Sequence, residues 1–303
     1  MDPNEVIFHL CVVVLAVETS VGVLSSVYVI VIILLDFHKK NNMRTGNKIR
    51  MALGLSNVCF SVIMFTSVFS HFFWPVTSGT TSSNCILYSF TMYCISTCSW
   101  LSASLSFFYF IKIVNMKIRC FVWVKANISP IVSWLLLVTQ VVSFGSFFAV
   151  FFLIVPRPTV SNSTISSNSA MTVGDLRRQF VYIIIVVTFM PLLTVLFTTI
   201  TTAVVLKQHR LKMVQNLGPN IQLETYNSAV FRMLRLLFFF TMFYTVMLIF
   251  YFPVFVEMTP GFWVSLIIMS TFTSVQSILI AFGNPNLKRA WKEVTKCIRS
   301  CKP

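Results

Sequence analysis

The chain has 303 residues, of which 56% are hydrophobic and only 10% are charged. Soluble domains carry about 25% charged residues, so this composition excludes an ordinary water-soluble protein. The formal net charge of +15 does not indicate nucleic-acid binding, because the basic residues fall between long apolar runs. These properties predict a membrane protein that crosses the bilayer several times.

Seven apolar runs are each long enough to cross a hydrocarbon core, which takes about 20 residues. They comprise residues 6–35, 51–74, 85–111, 131–155, 180–206, 236–256 and 262–282. The first run is too long for a cleaved signal peptide and follows no basic segment, so it is predicted to remain as an anchor. Residues 1–303 are therefore predicted to form one all-α membrane domain, a seven-transmembrane-helix bundle.

The orientation of this bundle is predicted from its basic residues. All Lys and Arg residues except Arg157, Arg177 and Arg178 lie at or after the ends of spans one, three and five, or in the tail. Cytoplasmic loops carry the excess of basic residues. The amino terminus is therefore predicted to lie outside the cell and the carboxyl terminus inside.

Two segments outside the spans carry predicted modification sites. The second outer loop contains Asn162 in an Asn-Ser-Thr triplet, a glycosylation acceptor on the predicted outer side. The apolar spacing of residues 286–301 predicts an amphipathic helix on the inner leaflet, where its basic residues meet anionic lipids. Within this helix, Cys297 and Cys301 either carry acyl chains or remain reduced thiols.

The sequence shows no constellation typical of catalysis. Cys94 and Cys98 share one helix face, but two thiols without a third ligand make a poor metal site, so they are interpreted as packing residues. The four histidines are far apart, no phosphate-loop or zinc-protease pattern occurs, and neither Asp36 nor Asp175 lies inside a span. The chain is therefore not predicted to be an enzyme or to hold a metal or cofactor.

One ionisable side chain, that of Glu18, lies deep inside a predicted span. A charge at such a depth costs about 2.5–3.5 kcal/mol, so Glu18 is predicted to face the bundle interior. It is either a switch or ion contact, or a protonated and hydrogen-bonded structural carboxyl. A transporter would be expected to show internal repeats, broken helices or midplane charge pairs. Neither a repeat nor a cationic partner for Glu18 is evident, so a ligand-sensing receptor is favoured and a transporter is the alternative from a different class.

Family motifs make the prediction of a ligand-sensing receptor more specific. Residues 100–113 read WLSASLSFFYFIKI, which closely resembles the span-three signature W-L-x-x-x-L-x-x-F-Y-F-L-K-I of the bitter taste (type 2 taste) receptor family. Glu18 and Gly22 resemble the family's E-x-x-x-G in span one. Pro191 with His209 and Met213 resembles its span-five pattern, and residues 276–288 resemble its span-seven H-S-x-x-L-I-L-x-N-x-K-L-K.

The resemblance implies a G-protein-coupled chemosensory receptor of the plasma membrane, which detects small, mostly apolar bitter compounds and signals through a gustducin-type heterotrimeric G protein. A pocket is expected among the outer halves of spans three, five, six and seven, with apolar and aromatic walls. The candidates are Tyr88, Thr91, Met92, Ile95, Ile183, Val187, Tyr244, Met247, Tyr251, Leu266 and Met269. Bundle packing is the alternative role for each, since Met and aromatic residues also fill cores.

On the inner side, outward movement of span six is expected to open a groove for the terminal helix of the G protein. The residues that match or flank the family motifs there are Tyr109, Lys112, His209, Lys212, Met213 and Arg235. The alternative role for the charged residues at this rim is to hold the membrane topology and bind lipid. Tyr244, which matches a family Tyr in span six, is the expected movable contact between pocket and inner face.

The chain departs from the family pattern at several positions. Ser26 stands where the family usually has Asn, Asn57 where it often has Arg, and Gln276 where it has His. Thr91 and Ile95 occupy positions that often present Trp and Asn to ligands. These departures indicate a diverged member, and a vomeronasal-type pheromone receptor is the rival within the receptor class.

Overall fold

The computed structural model describes residues 3–41, 43–73, 81–114, 119–154, 173–217, 234–235, 237–247 and 260–283. The regular elements in these ranges are all α-helices, which confirms the predicted all-α fold. In chain order they are α1 Pro3–Lys40, α2 Thr45–Phe73, α3 Thr81–Ile113, α4 Arg119–Ala126, α5 Ile128–Ile154, α6 Val173–Leu217, α7 Leu237–Met247 and α8 Pro260–Gly283.

Six of these helices are long and apolar enough to cross a membrane, namely α1, α2, α3, α5, α6 and α8. The described part of the predicted sixth span, α7, is apolar but shorter. The short helix α4 precedes α5 and is separated from it by a turn at Asn127. The carbonyl of Trp123 in α4 accepts two hydrogen bonds from Asn127, one from its backbone N–H at 3.0 Å and one from its side-chain amide at 3.1 Å.

Two helix features follow directly from local sequence. α1 is closed by Asn41, whose φ of 49° lies in the left-handed region that Asn tolerates after a helix end. α6 continues past Pro191 without interruption and reaches Leu217, so it extends well beyond the predicted span 180–206. Neighbouring helices and Thr side chains make an internal proline tolerable inside a membrane.

The helix α3 lies at the centre of the bundle. Its membrane-spanning part is mostly buried, whereas α1 and α5 expose most of theirs. Small polar residues explain the difference, because buried serines on α3 permit close approach of neighbouring helices. Ser96 accepts a hydrogen bond from Ser143 of α5 at 3.2 Å, and Ser106 accepts one from Thr198 of α6 at 3.3 Å.

Several predicted features lie outside the described residues. They are Asn162, Tyr251 and the tail helix 286–301 with Cys297 and Cys301. The backbones of Tyr88, His209, Lys212 and Met213 are helical, but their side chains are outside the described part of the structure.

Candidate ligand-binding and coupling site

The predicted pocket residues converge on one buried cluster. The outer cluster, as we call it, contains six of them from α3, α7 and α8, and Ile183 of α6 packs against it. The six are Met92, Ile95, Tyr244, Met247, Leu266 and Met269. Predicted pocket residues of four helices, α3, α6, α7 and α8, therefore meet in one buried cluster.

The side chains of the outer cluster are tightly buried. Tyr244 is 8% exposed, and Met92, Ile95 and Met247 are fully buried. Thr91 is also buried, and its hydroxyl donates to the carbonyl of Leu87 at 2.9 Å. Val187 is half-buried. The cluster supplies apolar and thioether surface of the kind that adapts to ligands, and the ligand-binding role of its residues stays a prediction.

A crevice between α1, α2 and α8 lies at the edge of the outer cluster and shares Leu15, Met64 and Leu266 with it. Its lining comprises Leu15, Thr19, Met64, Phe65, Leu266 and Ser270. Leu266 belongs to both the crevice and the predicted pocket, so the two adjoin. No pocket residue was predicted on α1 or α2 from the sequence.

Aromatic rings connect α7 to its neighbours next to Tyr244. Phe243 stacks on Phe272 of α8 with ring centroids 4.0 Å apart, and it meets Phe60 of α2 edge-on at 6.2 Å. Such pairs contribute about 0.5–1.5 kcal/mol beyond the area they bury. The aromatic contacts place Tyr244 on the part of α7 that packs against α2 and α8.

Glu18 faces the bundle interior, as its depth in the membrane predicts. One carboxyl oxygen accepts a hydrogen bond from the hydroxyl of Thr271 at 2.6 Å, and the other accepts one from Ser270. Ser274 donates to the backbone carbonyl of Glu18 at 2.9 Å. The carboxyl therefore links α1 to α8 through hydroxyl groups.

Two substitutions of Glu18 distinguish its predicted roles. Glu18→Leu removes both acceptors from the α1–α8 contact and is expected to destabilise the protein by about 1–2 kcal/mol. Glu18→Gln keeps an acceptor oxygen, so for a structural carboxyl it should retain near-normal surface level and signalling. The measurement is the unfolding temperature of detergent-purified protein together with agonist response per surface receptor. A silent but stable Glu18→Gln variant would instead establish the switch role.

A layer of neutral polar side chains joins α1, α2, α3 and α8 on the side of Glu18 that faces the carboxyl end of α1. Ser277 of α8 lies 2.6 Å from the hydroxyl of Ser26 and accepts a hydrogen bond from the Asn57 amide at 3.0 Å. The thiol of Cys98 donates to the Asn57 carbonyl oxygen at 3.5 Å and lies 3.1 Å from the hydroxyl of Ser56. Cys98 is thus a member of a polar contact as well as a small packing residue.

Gln276 extends this polar layer to the next turn of α3. Its amide nitrogen donates to the hydroxyl of Ser102 at 2.6 Å, and Ser102 donates onward to the carbonyl of Cys98. The amide oxygen of Gln276 is buried with no hydrogen-bond donor among the described residues. The three departures from the family pattern, at Ser26, Asn57 and Gln276, therefore lie in one connected region.

On the predicted inner side, the structure places three of the six coupling candidates by their side chains. Tyr109 is half-buried, and its hydroxyl accepts a hydrogen bond from Arg50 of α2 at 2.9 Å. Lys112 is exposed in the last turn of α3, and Arg235 is exposed two residues before the start of α7. Their role in coupling stays a prediction.

The hydrogen-bond partners of Glu18 and Tyr109 were not predicted from the sequence. Ser270, Ser274 and Ser277 recur on α8 at spacings of four and three, which places them on one helix face. A polar stripe on an otherwise apolar helix indicates that this face contacts the interior of the bundle, so this contact could have been predicted. Arg50 gave no such signal, because it falls among basic residues that topology alone explains.

A match to a protein-family model identifies the chain's relatives. The model for the taste receptor protein (TAS2R) family matches residues 1–299. The chain belongs to this family. The resemblance based on residues 100–113 is thereby confirmed, and the vomeronasal alternative is not supported.

Two individual taste receptors are similar to the chain along most of its length, and a third is similar along part of it. Taste receptor type 2 member 39 of Rattus norvegicus is 26% identical over 295 residues, covering 92% of this chain and 89% of that protein. Member 39 of Homo sapiens is 25% identical and covers 97% and 90%. Member 7 of Pongo pygmaeus is 28% identical over 126 residues, which cover 42% of this chain and 40% of that protein.

Family membership decides several predictions at once. The chain is a receptor and not an enzyme, and the family match joins the apolar helices in supporting the seven-transmembrane fold and a multi-pass location in the plasma membrane, which is usual for this family. Small molecules and a G protein are the kinds of partner that the family implies.

Proposed function

We propose that this receptor detects small, mostly apolar bitter compounds and activates a gustducin-type heterotrimeric G protein. The observation that carries the proposal is the convergence of pocket candidates from α3, α6, α7 and α8 on one apolar cluster, in a chain that belongs to the taste receptor family. The cluster offers methionine and aromatic surface with few polar groups, which suits apolar ligands.

The proposed orientation has the amino terminus outside and the carboxyl terminus inside the cell. The excess of Lys and Arg after spans one, three and five and in the tail supports this orientation. Under it, the outer cluster lies toward the extracellular side, and Tyr109, Lys112 and Arg235 lie toward the cytoplasm. A glycan on Asn162 and a membrane-bound tail helix belong to the same proposal.

The experiment that tests the proposal is a calcium assay in cells that express the chain with a gustducin-containing G-protein chimera. A dose-dependent response to members of a bitter-compound panel, lost without the G protein, is the expected result. A parallel set of cells with a chimera lacking the gustducin segment tests the choice of G protein. A response that persists without any G protein would overturn the proposal and favour transport.

Simultaneous replacement of Lys112 and Arg235 by Ala is expected to abolish coupling while leaving agonist binding intact. The two exposed cations lie near the end of α3 and just before α7, where the proposed groove for the G protein opens. The measurement compares calcium response with agonist binding at matched surface level.

The matched control for this pair replaces Lys39 and Arg119 by Ala. These residues are also exposed and on the predicted inner side, so the control removes the same charge and tests the alternative role in topology and lipid binding. Unchanged signalling by the Lys112/Arg235 variant, or an equal loss in both variants, would contradict the coupling assignment.

A further inference from the structure

Arg50 makes the most specific contact on the predicted inner side. Its guanidinium donates one hydrogen bond to the Asn47 side-chain oxygen at 2.8 Å and another to the Tyr109 hydroxyl at 2.9 Å. Its central carbon lies 5.8 Å from the centre of the Tyr109 ring, within the range of a cation–π contact. The charge of Arg50 is thus directed at a side chain of α3, rather than at lipid or water alone.

The first turn of α2 is built to bring Arg50 to this position. A Cβ atom on Gly46 would lie 2.8 Å from the Phe108 ring, so glycine lets the start of α2 lie directly against α3. Asn47 is buried one turn before Arg50 on the same helix face, and its bond fixes the direction of the guanidinium. Gly46, Asn47 and Arg50 therefore act together to hold Tyr109.

Tyr109 lies on the α2 side of α3. It packs against the cluster of Ile49, Leu53, Leu105, Phe108 and their neighbours, which is contributed mainly by α1, α2, α3 and α8. Its hydroxyl accepts from Arg50, and its ring lies beside the guanidinium. A side chain held in this way is not available to a helix that enters between α3 and the inner ends of α6 and α7.

We infer that Arg50 is a positioning residue that holds Tyr109 against α2 in the uncoupled conformation, and that breaking this bond is a step in opening the G-protein groove. The inference rests on the proposed function. The Arg50 bond stabilises the conformation in which Tyr109 lies against α2 relative to one in which Tyr109 is released, so it shifts the balance between them. Removing the guanidinium favours the coupled conformation.

The test uses Arg50→Met, which keeps an apolar chain of similar length, with Lys48→Met as the control that removes a neighbouring positive charge. Arg50→Met is expected to raise agonist-independent G-protein activation about tenfold per surface receptor, the size of one hydrogen bond to a charged group. Lys48→Met should leave it unchanged. In a Tyr109→Phe background, which lacks the accepting hydroxyl, Arg50→Met should add little further activation.

Equal basal activity of Arg50→Met and Lys48→Met would overturn the inference, as would a full additional effect in the Tyr109→Phe background. A stability cycle on purified receptor separates this failure from failure of the proposed function. Arg50→Met and Tyr109→Phe should lower the unfolding temperature non-additively if their side chains interact, whether or not any agonist is found. Additive losses would remove the contact on which the inference depends.

Discussion

Replacing Gly22 by Leu is expected to destabilise the receptor by about 2–3 kcal/mol, because the new side chain has no space at the contact between α1, α2 and α8. A Cβ atom on Gly22 would already lie 2.8 Å from the Ser274 hydroxyl and 3.1 Å from that of Ser61. The leucine must push α8 away from α1. That movement also breaks the bonds through which Glu18 joins the two helices.

The measurement is thermal unfolding of detergent-purified protein, in which the midpoint should fall by about 5 °C for a loss of this size. Gly145→Leu is the matched control, because a Cβ atom there meets nothing within 4 Å. Since Leu is the better helix former, the control should be neutral or slightly stabilising. Equal midpoints for the two variants would contradict the close approach of α1 and α8.

Replacing Tyr244 by Ala is expected to reduce agonist response by at least about tenfold, since truncating a buried aromatic side chain removes about 3–5 kcal/mol of packing. Tyr244 lies in the outer cluster, and the adjacent Phe243 stacks on Phe272. A movement of α7 that follows ligand binding would therefore act on this contact. Response should be measured as calcium release per surface receptor.

Two control variants separate loss of the Tyr244 contact from loss of folding. Tyr244→Phe retains the ring, so it should preserve folding and show whether the hydroxyl contributes to the response. Thr245→Ala changes the next residue, which is exposed and bonds only within α7 to the Thr241 carbonyl among the described contacts, and it should behave as wild type. Full agonist response of Tyr244→Ala at normal surface level would contradict the assignment of Tyr244 as a movable contact.

The departures from the family pattern illustrate what a sequence conveys and what it does not. Ser26, Asn57 and Gln276 are separate substitutions when read along the chain. In the fold, Ser26 and Asn57 both bond Ser277, while Gln276 bonds Ser102 on the adjacent turn of α3. An Arg in place of Asn57 would bring a charge into this neutral layer, and burying a charge without a paired counter-charge is costly. The substitutions are thus physically compatible with one another in a way that only their proximity reveals.

The predicted pocket residues also show which features the sequence conveys and which only the fold reveals. Helical spacing and family motifs predicted which helices would supply Met92, Tyr244 and Leu266, and the outer cluster brings them together. The cluster and the crevice at its edge also include Leu15 and Met64 from α1 and α2, which no sequence pattern indicated. Apolar residues on a membrane helix look alike in sequence whether they face lipid, a neighbouring helix or a crevice.

By itself, the sequence determined the membrane class, the all-α fold and the family, because apolar length and a contiguous motif are local properties of the chain. It also predicted that Glu18 faces inward, since a charge in the hydrocarbon core has no other low-energy place. Only the tertiary structure decided that Ser270 and Thr271 donate hydrogen bonds to the Glu18 carboxyl. It also decided that Gly22 allows α1 to approach α8 and that Arg50 donates a hydrogen bond to Tyr109. Each of these pairs joins residues far apart in the chain, and their contacts depend on how the helices pack and rotate against one another.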